Sequence, residues 1–340
     1  MQFTIGGSEA GRRLDRVLRK MLKGASLSFV YRIIRKDVRV NGRRALAEQL
    51  LASGDVIEIL LPDEQLSELA QKSAVSGSAM KQFAVIYEDN DILVVNKPFG
   101  LLTHGDAVEK RNTLTNQVIA YLNETGGFDS GETGTFVPAP AGRLDRNTTG
   151  IVVFGKTMQA ARNLAIMMAG GADGGYGKEG EQTPYVEKAY LTIVSGEMEA
   201  PMTLQARMVR DSERNITRVR PGTSEEGSMM ITETRPLATG QGFTLVEARL
   251  LTGRTHQIRA QLAEAGFPVI GDRKYGDHKI NGKMLREFGL SAQLLHAYRL
   301  KIIRGEGCLE YLKGKTLKAK APARFTEIAE DLGWNIVPKL

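Results

Sequence analysis

The stretch Gly142-Arg143-Leu144-Asp145-Arg146-Asn147-Thr148-Thr149-Gly150 sets one carboxylate between two arginines. It follows the turn Val137-Pro138-Ala139-Pro140 and precedes the apolar run Ile151-Val152-Val153-Phe154. That order predicts an aspartate on a short loop in front of a sheet. Nearby cations favour the ionised form of a carboxylate, the form that serves as a base or a nucleophile. Arginines in such a loop can also meet phosphate or stack on bases. Taken alone, an R-x-D-R string is more often a helix cap or half of an ion pair.

Five further segments change that weighting. Asn96-Lys97-Pro98-Phe99-Gly100-Leu101-Leu102-Thr103-His104-Gly105 directly follows an expected strand. Glu187-Lys188-Ala189-Tyr190-Leu191 lies within another, where Tyr190 by itself reads as a core aromatic. Leu251-Thr252-Gly253-Arg254-Thr255-His256-Gln257-Ile258-Arg259 carries two arginines; His256, Gln257 and Arg259 read as structural residues that orient the Arg254 loop. Gly271-Asp272-Arg273-Lys274-Tyr275-Gly276 and Leu295-His296-Ala297 complete the set. The Asp272 turn fits contact with a phosphate backbone as well as it fits a solvated turn, and His296 fits a core histidine as well as a functional one.

The elements that must position these residues divide in two. Residues 11–50 hold twelve Arg or Lys against Asp15, Asp37 and Glu48, a surplus of nine, while the whole chain carries +7. A basic module on a nearly neutral body points to a nucleic-acid grip joined to something else. In that module Leu14, Val17, Leu18, Met21 and Leu22 recur at helical spacing, with Gly24 closing the helix. Ser26 or Ser28 caps a second helix through Val30, Ile33 and Ile34. Val38-Arg39-Val40 then reads as a strand, Asn41-Gly42 as a hairpin turn, and Val56–Leu60 as a further strand. Residues 62–82 are poor in large apolar groups and read as a linker. From Phe83 onward, strands are expected at 84–87, 92–95, 151–154, 189–194, 203–208, 243–250 and 299–304. Helices are expected at 113–123, 157–168 and 255–265. This is an α+β pattern with a mainly antiparallel sheet. Gly170–Gly180 holds six glycines and reads as a mobile surface loop.

Composition excludes other chemistry. One cysteine, Cys308, allows no internal disulfide, and no zinc-ligand spacing appears among the four histidines. No phosphate-cradling glycine motif calls for a nucleotide cofactor. No apolar run spans a bilayer and the N-terminus lacks a signal-peptide pattern, so a cytoplasmic protein is expected.

Arg13-Leu14-Asp15, Ile33-Ile34, Val38-Arg39-Val40-Asn41-Gly42 and Gly54-Asp55-Val56-Ile57 together resemble the S4-type RNA-binding domain. Residues 1–62 would form it, residues 63–82 the linker, and residues 83–335 the catalytic domain. The later motifs, in this order, resemble the RluA-type RNA pseudouridine synthases, most closely the ribosomal large-subunit members with an N-terminal S4-type domain. That family usually has His where Gly142 stands and Ser where Thr149 stands; glycine is the choice of the sister RsuA branch.

The resemblance implies isomerisation of uridine to pseudouridine in structured RNA, most plausibly large-subunit ribosomal RNA, by a monomer that needs no cofactor and no metal. It maps the catalytic aspartate onto Asp145, its arginine partner onto Arg254 and the active-site tyrosine onto Tyr190. Arg143 would fill the space left by a flipped uridine, while Lys97 would shape the floor of the site and Ile258 and Leu295 would line its wall or core. Arg12, Arg13, Arg32, Arg35, Arg39, Arg43 and Arg44 would meet RNA. Three alternatives stand beside this reading. Transfer RNA is a second candidate substrate. A non-catalytic ribosome-assembly factor would have lost Asp145, Arg254 or Tyr190, and all three are present. A glycosylase would release free uracil.

Overall fold

The computed structural model describes residues 1–7, 9–22, 25–62, 80–127, 136–169, 184–211, 216–221 and 227–335. Gly24, most of the expected 63–82 linker and the glycine-rich stretch after Ala169 lie outside the described residues. The chain divides into two units, Met1–Lys81 with Asn116–Pro138, and Gln82–Thr115 with Ala139–Leu340.

The first unit contains β1 (Gln2–Thr4), α1 (Leu14–Met21), α2 (Leu27–Lys36), β2 (Val38–Val40), β3 (Arg43–Arg44) and β4 (Val56–Ile59). The strands form an antiparallel sheet in the order β1-β4-β2-β3. Leu14, Val17 and Leu18 face inward from α1 and meet Val30, Ile33 and Ile34 of α2, as the helical spacing requires. Ser26, not Ser28, caps α2 by accepting the Phe29 N–H. Asn41 and Gly42 both take positive φ, 51° and 74°, which is the tight hairpin turn expected between β2 and β3.

The second unit is built on an eleven-stranded sheet. Its strands are β5 (Ala84–Glu88), β6 (Ile92–Lys97), β7 (Ala139–Pro140), β8 (Thr149–Gly155), β9 (Val186–Ser195), β10 (Met202–Asp211), β11 (Ile216–Pro221), β12 (Ser228–Gly240), β13 (Phe243–Leu250), β14 (Leu295–Ile302) and β15 (Thr316–Lys318). The main order is β11-β10-β12-β13-β9-β14-β8-β6-β5, with β15 on β14 and β7 on β8. All pairings are antiparallel except β8 with β14. The helices described are α3 (Leu114–Glu124), which crosses the division between the units, α4 (Met158–Ala169), α5 (Gln257–Glu264), α6 (His278–Phe288) and α7 (Ala323–Asp331).

Period-two alternation gives the sheet two buried faces. Leu191, Ile193 and Leu245 pack with Met284 of α6 and Phe325 and Ile328 of α7. Val194, Val246 and Ala248 pack on the other side with Ile258 and Leu262 of α5. The parallel pair is unusually close. Gly150 has φ +111°, and a β-carbon there would overlap the Ala297 carbonyl of β14. Only glycine lets β8 start against β14 at this point, directly after the Asp145 loop.

β12, α6 and α7 are among the elements beyond those expected. In β12, Thr232-Glu233-Thr234-Arg235-Pro236 has no apolar alternation, and its register shifts between Pro236 and Ala238. A bulge is where a sheet accommodates a proline. Helix α6 contains Asn281 and Gly282 in its interior and is held instead by its ends. Asp277 accepts the N–H groups of Lys279 and Ile280, and Gly289 closes the last turn at φ 62°. Helix α7 follows Pro322 near the C-terminal end.

Candidate active site

The Asp145 loop is fastened from beneath. Thr103 donates its hydroxyl to the Leu144 carbonyl at 2.9 Å and accepts the Leu144 N–H at 3.3 Å. Arg146 donates Nε to the Gly100 carbonyl at 3.3 Å, and the Thr148 N–H closes a turn onto the Asp145 carbonyl at 3.0 Å. Lys97, at the end of β6, is the central tether. Its Nζ donates to the carbonyls of Leu101 at 2.7 Å, Arg146 at 2.8 Å and Pro98 at 3.2 Å.

Lys97 is fully buried, so it lies in the floor beneath the loop and not on a surface that RNA could reach. An ammonium has three donors and here meets three carbonyls, which makes the side chain a strut. Burial pushes its pKa down to about 7, opposed by the charge of Asp145. Lys97→Met strands these acceptors, at about 1–3 kcal/mol for each one left buried and unpaired. The variant is expected to lose roughly 3 kcal/mol or more of stability, read by denaturant unfolding, together with most turnover. Unchanged unfolding would refute the strut.

Asp145 points its Oδ2 at two groups. Arg259 of α5 donates Nη1 at 2.8 Å, and His256 Nε2 stands 3.7 Å away. Among the described residues, no side-chain or backbone hydrogen bond reaches Oδ1, and the side chain keeps 28% of its surface exposed. Arg259 is fixed from behind by a fork to Asp272, Nε to Oδ2 at 2.6 Å and Nη2 to Oδ1 at 2.9 Å. Burial opposes the Arg259 charge, but Asp272 and Asp145 outweigh it and hold the guanidinium above its ordinary range. Asp272 is fully buried and also accepts the N–H groups of Lys274 and Tyr275. Burial raises its carboxyl, and Arg259 with those N–H groups brings it below the usual range. In the turn expected to be solvated or to touch RNA, Arg273 and Lys274 are exposed, but Asp272 itself is a buried brace.

The arginine expected to hold Asp145 was Arg254, and that is corrected. Arg254 lies exposed in the loop before α5, where its backbone N–H donates to Gln257 Oε1 at 3.0 Å. The physical reason is where the helix starts. Helix α5 begins at Gln257 and is buried from Gln257 through Leu262, Arg259 included, whereas Arg254 precedes it. Gln257 is structural as expected, bonding Thr252, Thr232 and the Ile231 carbonyl. His256 departs from expectation: it faces Asp145, and its Nδ1 meets the Tyr275 hydroxyl at 3.0 Å.

Tyr190 projects from β9 onto the cluster that contains Ile258 and Leu295. Burial, with the charge of Asp145 adding to it, pushes its phenol well above the ordinary tyrosine range, so it carries its proton at neutral pH. Ile258 and Leu295 are buried behind it, at 3% and 6% exposure, so of the wall and core positions expected for them they take the core. His296 is a core histidine; it bonds Thr149 Oγ1 at 2.8 Å and the Ala319 carbonyl at 3.1 Å, and burial lowers its pKa to about 4. Arg143 is exposed beside Asp145, and Leu144 is half-buried.

In the first unit Arg32, Arg35, Arg43 and Arg44 are exposed, and Arg12 and Arg39 are half-buried. Arg13, also half-buried, forks onto Asp15 at 3.0 and 3.1 Å and reaches Glu48 at 3.3 Å. Among the described residues, no group of three or more metal-ligating side chains lies together, and no helix is long and apolar enough to cross a membrane.

The geometry is that of a carboxylate with one oxygen braced and the other open, beside a neutral phenol and an exposed arginine. It can attack a carbon or remove a proton. A family model described as RNA pseudouridylate synthase matches residues 91–264. The ribosomal large subunit pseudouridine synthase C of Vibrio vulnificus (strain CMCP6) is 33% identical over 297 residues, covering 86% of this chain and 85% of that protein. The protein of the same name from Escherichia coli (strain K12) is 33% identical over 307 residues, covering 87% and 86%. Among solved structures, human RNA Pseudouridylate Synthase Domain Containing 4 shares the fold with a TM-score of 0.56 at 21% identity, over 74% of this chain and 93% of that one.

Proposed function

The chain belongs to the RNA pseudouridylate synthase family, as an RluA-type enzyme, and from that premise we propose that it isomerises uridines of large-subunit ribosomal RNA with Asp145 as the reactive group. The substrate class rests on the relatives, whose names specify the large ribosomal subunit. The open Oδ1 of Asp145, beside Tyr190 and braced through Oδ2, is the observation that carries the assignment.

The isomerisation breaks the N1–C1′ bond, turns the uracil and joins C5 to C1′; a proton leaves C5 and one is gained at N1. Asp145 attacks C1′ or takes the C2′ proton, and both routes use the same free oxygen. Tyr190, which carries its proton at neutral pH, offers the uracil a ring to stack on. A uridine in folded RNA must leave its stack, at a few kcal/mol. Arg143, flat and exposed, fills the space it vacates. The first unit acts as an S4-like grip through Arg12, Arg32, Arg35, Arg39, Arg43 and Arg44, giving affinity that falls with salt.

The test is tritium release from C5-labelled RNA, with large-subunit ribosomal RNA, immature large subunits and transfer RNA compared across a salt titration. Release from ribosomal RNA or its particles without free uracil is the expected result. Free uracil would mean a glycosylase, release from transfer RNA alone would move the substrate, and salt-independent binding would remove the grip.

A further inference from the structure

We infer that His256, aimed by Tyr275, is a second positioning residue for Asp145 and governs how turnover falls in acid. The inference rests on the reading of Asp145 as the reactive carboxylate.

Three observations converge. His256 Nε2 and Arg259 Nη1 address the same carboxylate oxygen, Oδ2, at 3.7 and 2.8 Å, and leave Oδ1 to the substrate. His256 holds a left-handed backbone conformation, φ 58°, at the entry to α5. A non-glycine residue rarely adopts it, and such outliers cluster where a site requires them. Its ring also stands edge-on to Tyr275, with centroids 5.7 Å apart, and Nδ1 lies 3.0 Å from the phenol oxygen.

The donor and acceptor roles follow from the partners. At 3.7 Å, Nε2 stands just outside hydrogen-bond reach of Asp145, and because a carboxylate offers it only an acceptor, the tautomer with the hydrogen on Nε2 is the one favoured there. In that tautomer the neutral imidazole has its lone pair at Nδ1, and the Tyr275 hydroxyl donates to it. Tyr275 is placed in turn by Asp272, which accepts its backbone N–H while forking onto Arg259. One buried carboxylate therefore sets both arms that meet Asp145, the arginine directly and the histidine through Tyr275.

The charged and titratable groups facing His256 are Asp145 on its loop, Arg259 on α5, and Asp272, Lys274 and Tyr275 on the following turn. Burial lowers the His256 pKa, and Arg259 and Lys274 act with it; Asp145 and Asp272 oppose them without overcoming the shift. The neutral ring is thus the working form at pH 7. In acid it becomes a second full cation against Oδ2. A carboxylate held by two cations is a poorer base and nucleophile, so turnover falls as His256 gains its proton. At higher pH the neutral ring orients Asp145 without competing for its charge.

The experiment is single-turnover tritium release between pH 5 and 8.5 with saturating RNA. Wild type, His256→Gln, His256→Leu, Tyr275→Phe and Asp145→Asn are compared, with folding checked by circular dichroism at each pH. His256→Gln keeps an N–H that cannot titrate; it is expected to slow the reaction about tenfold at pH 8 and to flatten the acid limb. His256→Leu, which keeps no donor, is expected to lose roughly a hundredfold. Tyr275→Phe removes the bond that favours the neutral ring and moves the limb to higher pH; it serves as the test if the His256 variants fail to fold. A limb of wild-type shape in His256→Gln, or an unmoved limb in Tyr275→Phe, overturns the inference. Activity in Asp145→Asn would instead overturn the reading of Asp145.

Discussion

Asp145→Asn is expected to lose turnover by on the order of 10⁴-fold or more while still folding and still binding RNA. Asparagine keeps the shape of the side chain and accepts the Arg259 hydrogen bond through its carbonyl. It cannot form a glycosyl ester or hold an abstracted proton, so both routes from the open Oδ1 are closed. A 10⁴-fold loss corresponds to about 5.5 kcal/mol of transition-state stabilisation. The fold is expected to survive because Arg259, the buried partner, keeps its fork to Asp272. The Asp145 side chain is 28% exposed and its replacement strands nothing in the interior. RNA affinity is expected to stay within about threefold, under 1 kcal/mol, because phosphate contacts supply most of it. Tritium release and filter binding on the same preparations check both halves. Turnover that persists in Asp145→Asn and in Asp145→Ala alike would remove Asp145 from the chemistry.

How far the sequence reaches depends on which force shapes each part. Strands with period-two alternation, such as β9 and β13, and helices with an apolar stripe, such as α1 and α2, are visible because burial selects their residues. β12 is not visible. Its Glu233 and Arg235 pair with Arg249 and Glu247 of β13, and ion pairs leave no periodic trace. α6 could have been found from its ends, since Asp277 and Gly289 are ordinary cap signals around an unpromising interior. In the site, Asp145 and Tyr190 were legible from motif order.

The partner of Asp145 was not, because Arg254 and Arg259 lie in one motif and choosing between them needs the start of α5. A helix starting at Gln257 buries Gln257 through Leu262 and leaves Arg254 outside. One signal was available: Arg259 sits in a run whose neighbours Ile258, Ala260 and Leu262 are apolar, where a cation must have a buried partner. Lys97 carried a similar signal at the end of the apolar strand Ile92-Leu93-Val94-Val95. The role of Asp272 was beyond reach, because it depends on a contact across thirteen residues and two turns.

The second large effect tests that choice between arginines. Arg259→Met is expected to reverse the pH dependence of stability as well as to remove activity. In the wild-type protein the Asp272 carboxyl is depressed. It therefore stabilises the fold above its unfolded pKa of about 3.9, and the stabilisation is lost as pH falls through its lower folded value. Without Arg259 the carboxylate keeps only the Lys274 and Tyr275 N–H groups, and burial then dominates and raises its folded pKa. A raised carboxyl binds a proton more tightly when folded, so stability falls as pH rises from about 4 toward the new folded value, by up to about 1.4 kcal/mol per unit. At neutral pH the stranded charge is expected to cost about 3–5 kcal/mol. Turnover should fall roughly a hundredfold or more, because Asp145 loses its shortest contact and its direction. Arg254→Met, exposed and unpaired with Asp145, is the control and should leave the pH profile of stability unchanged. Denaturant unfolding of the three proteins between pH 4 and 7.5 gives the answer. A falling profile only in Arg259→Met establishes the brace, and a wild-type profile there would show that Asp272 is held by other means.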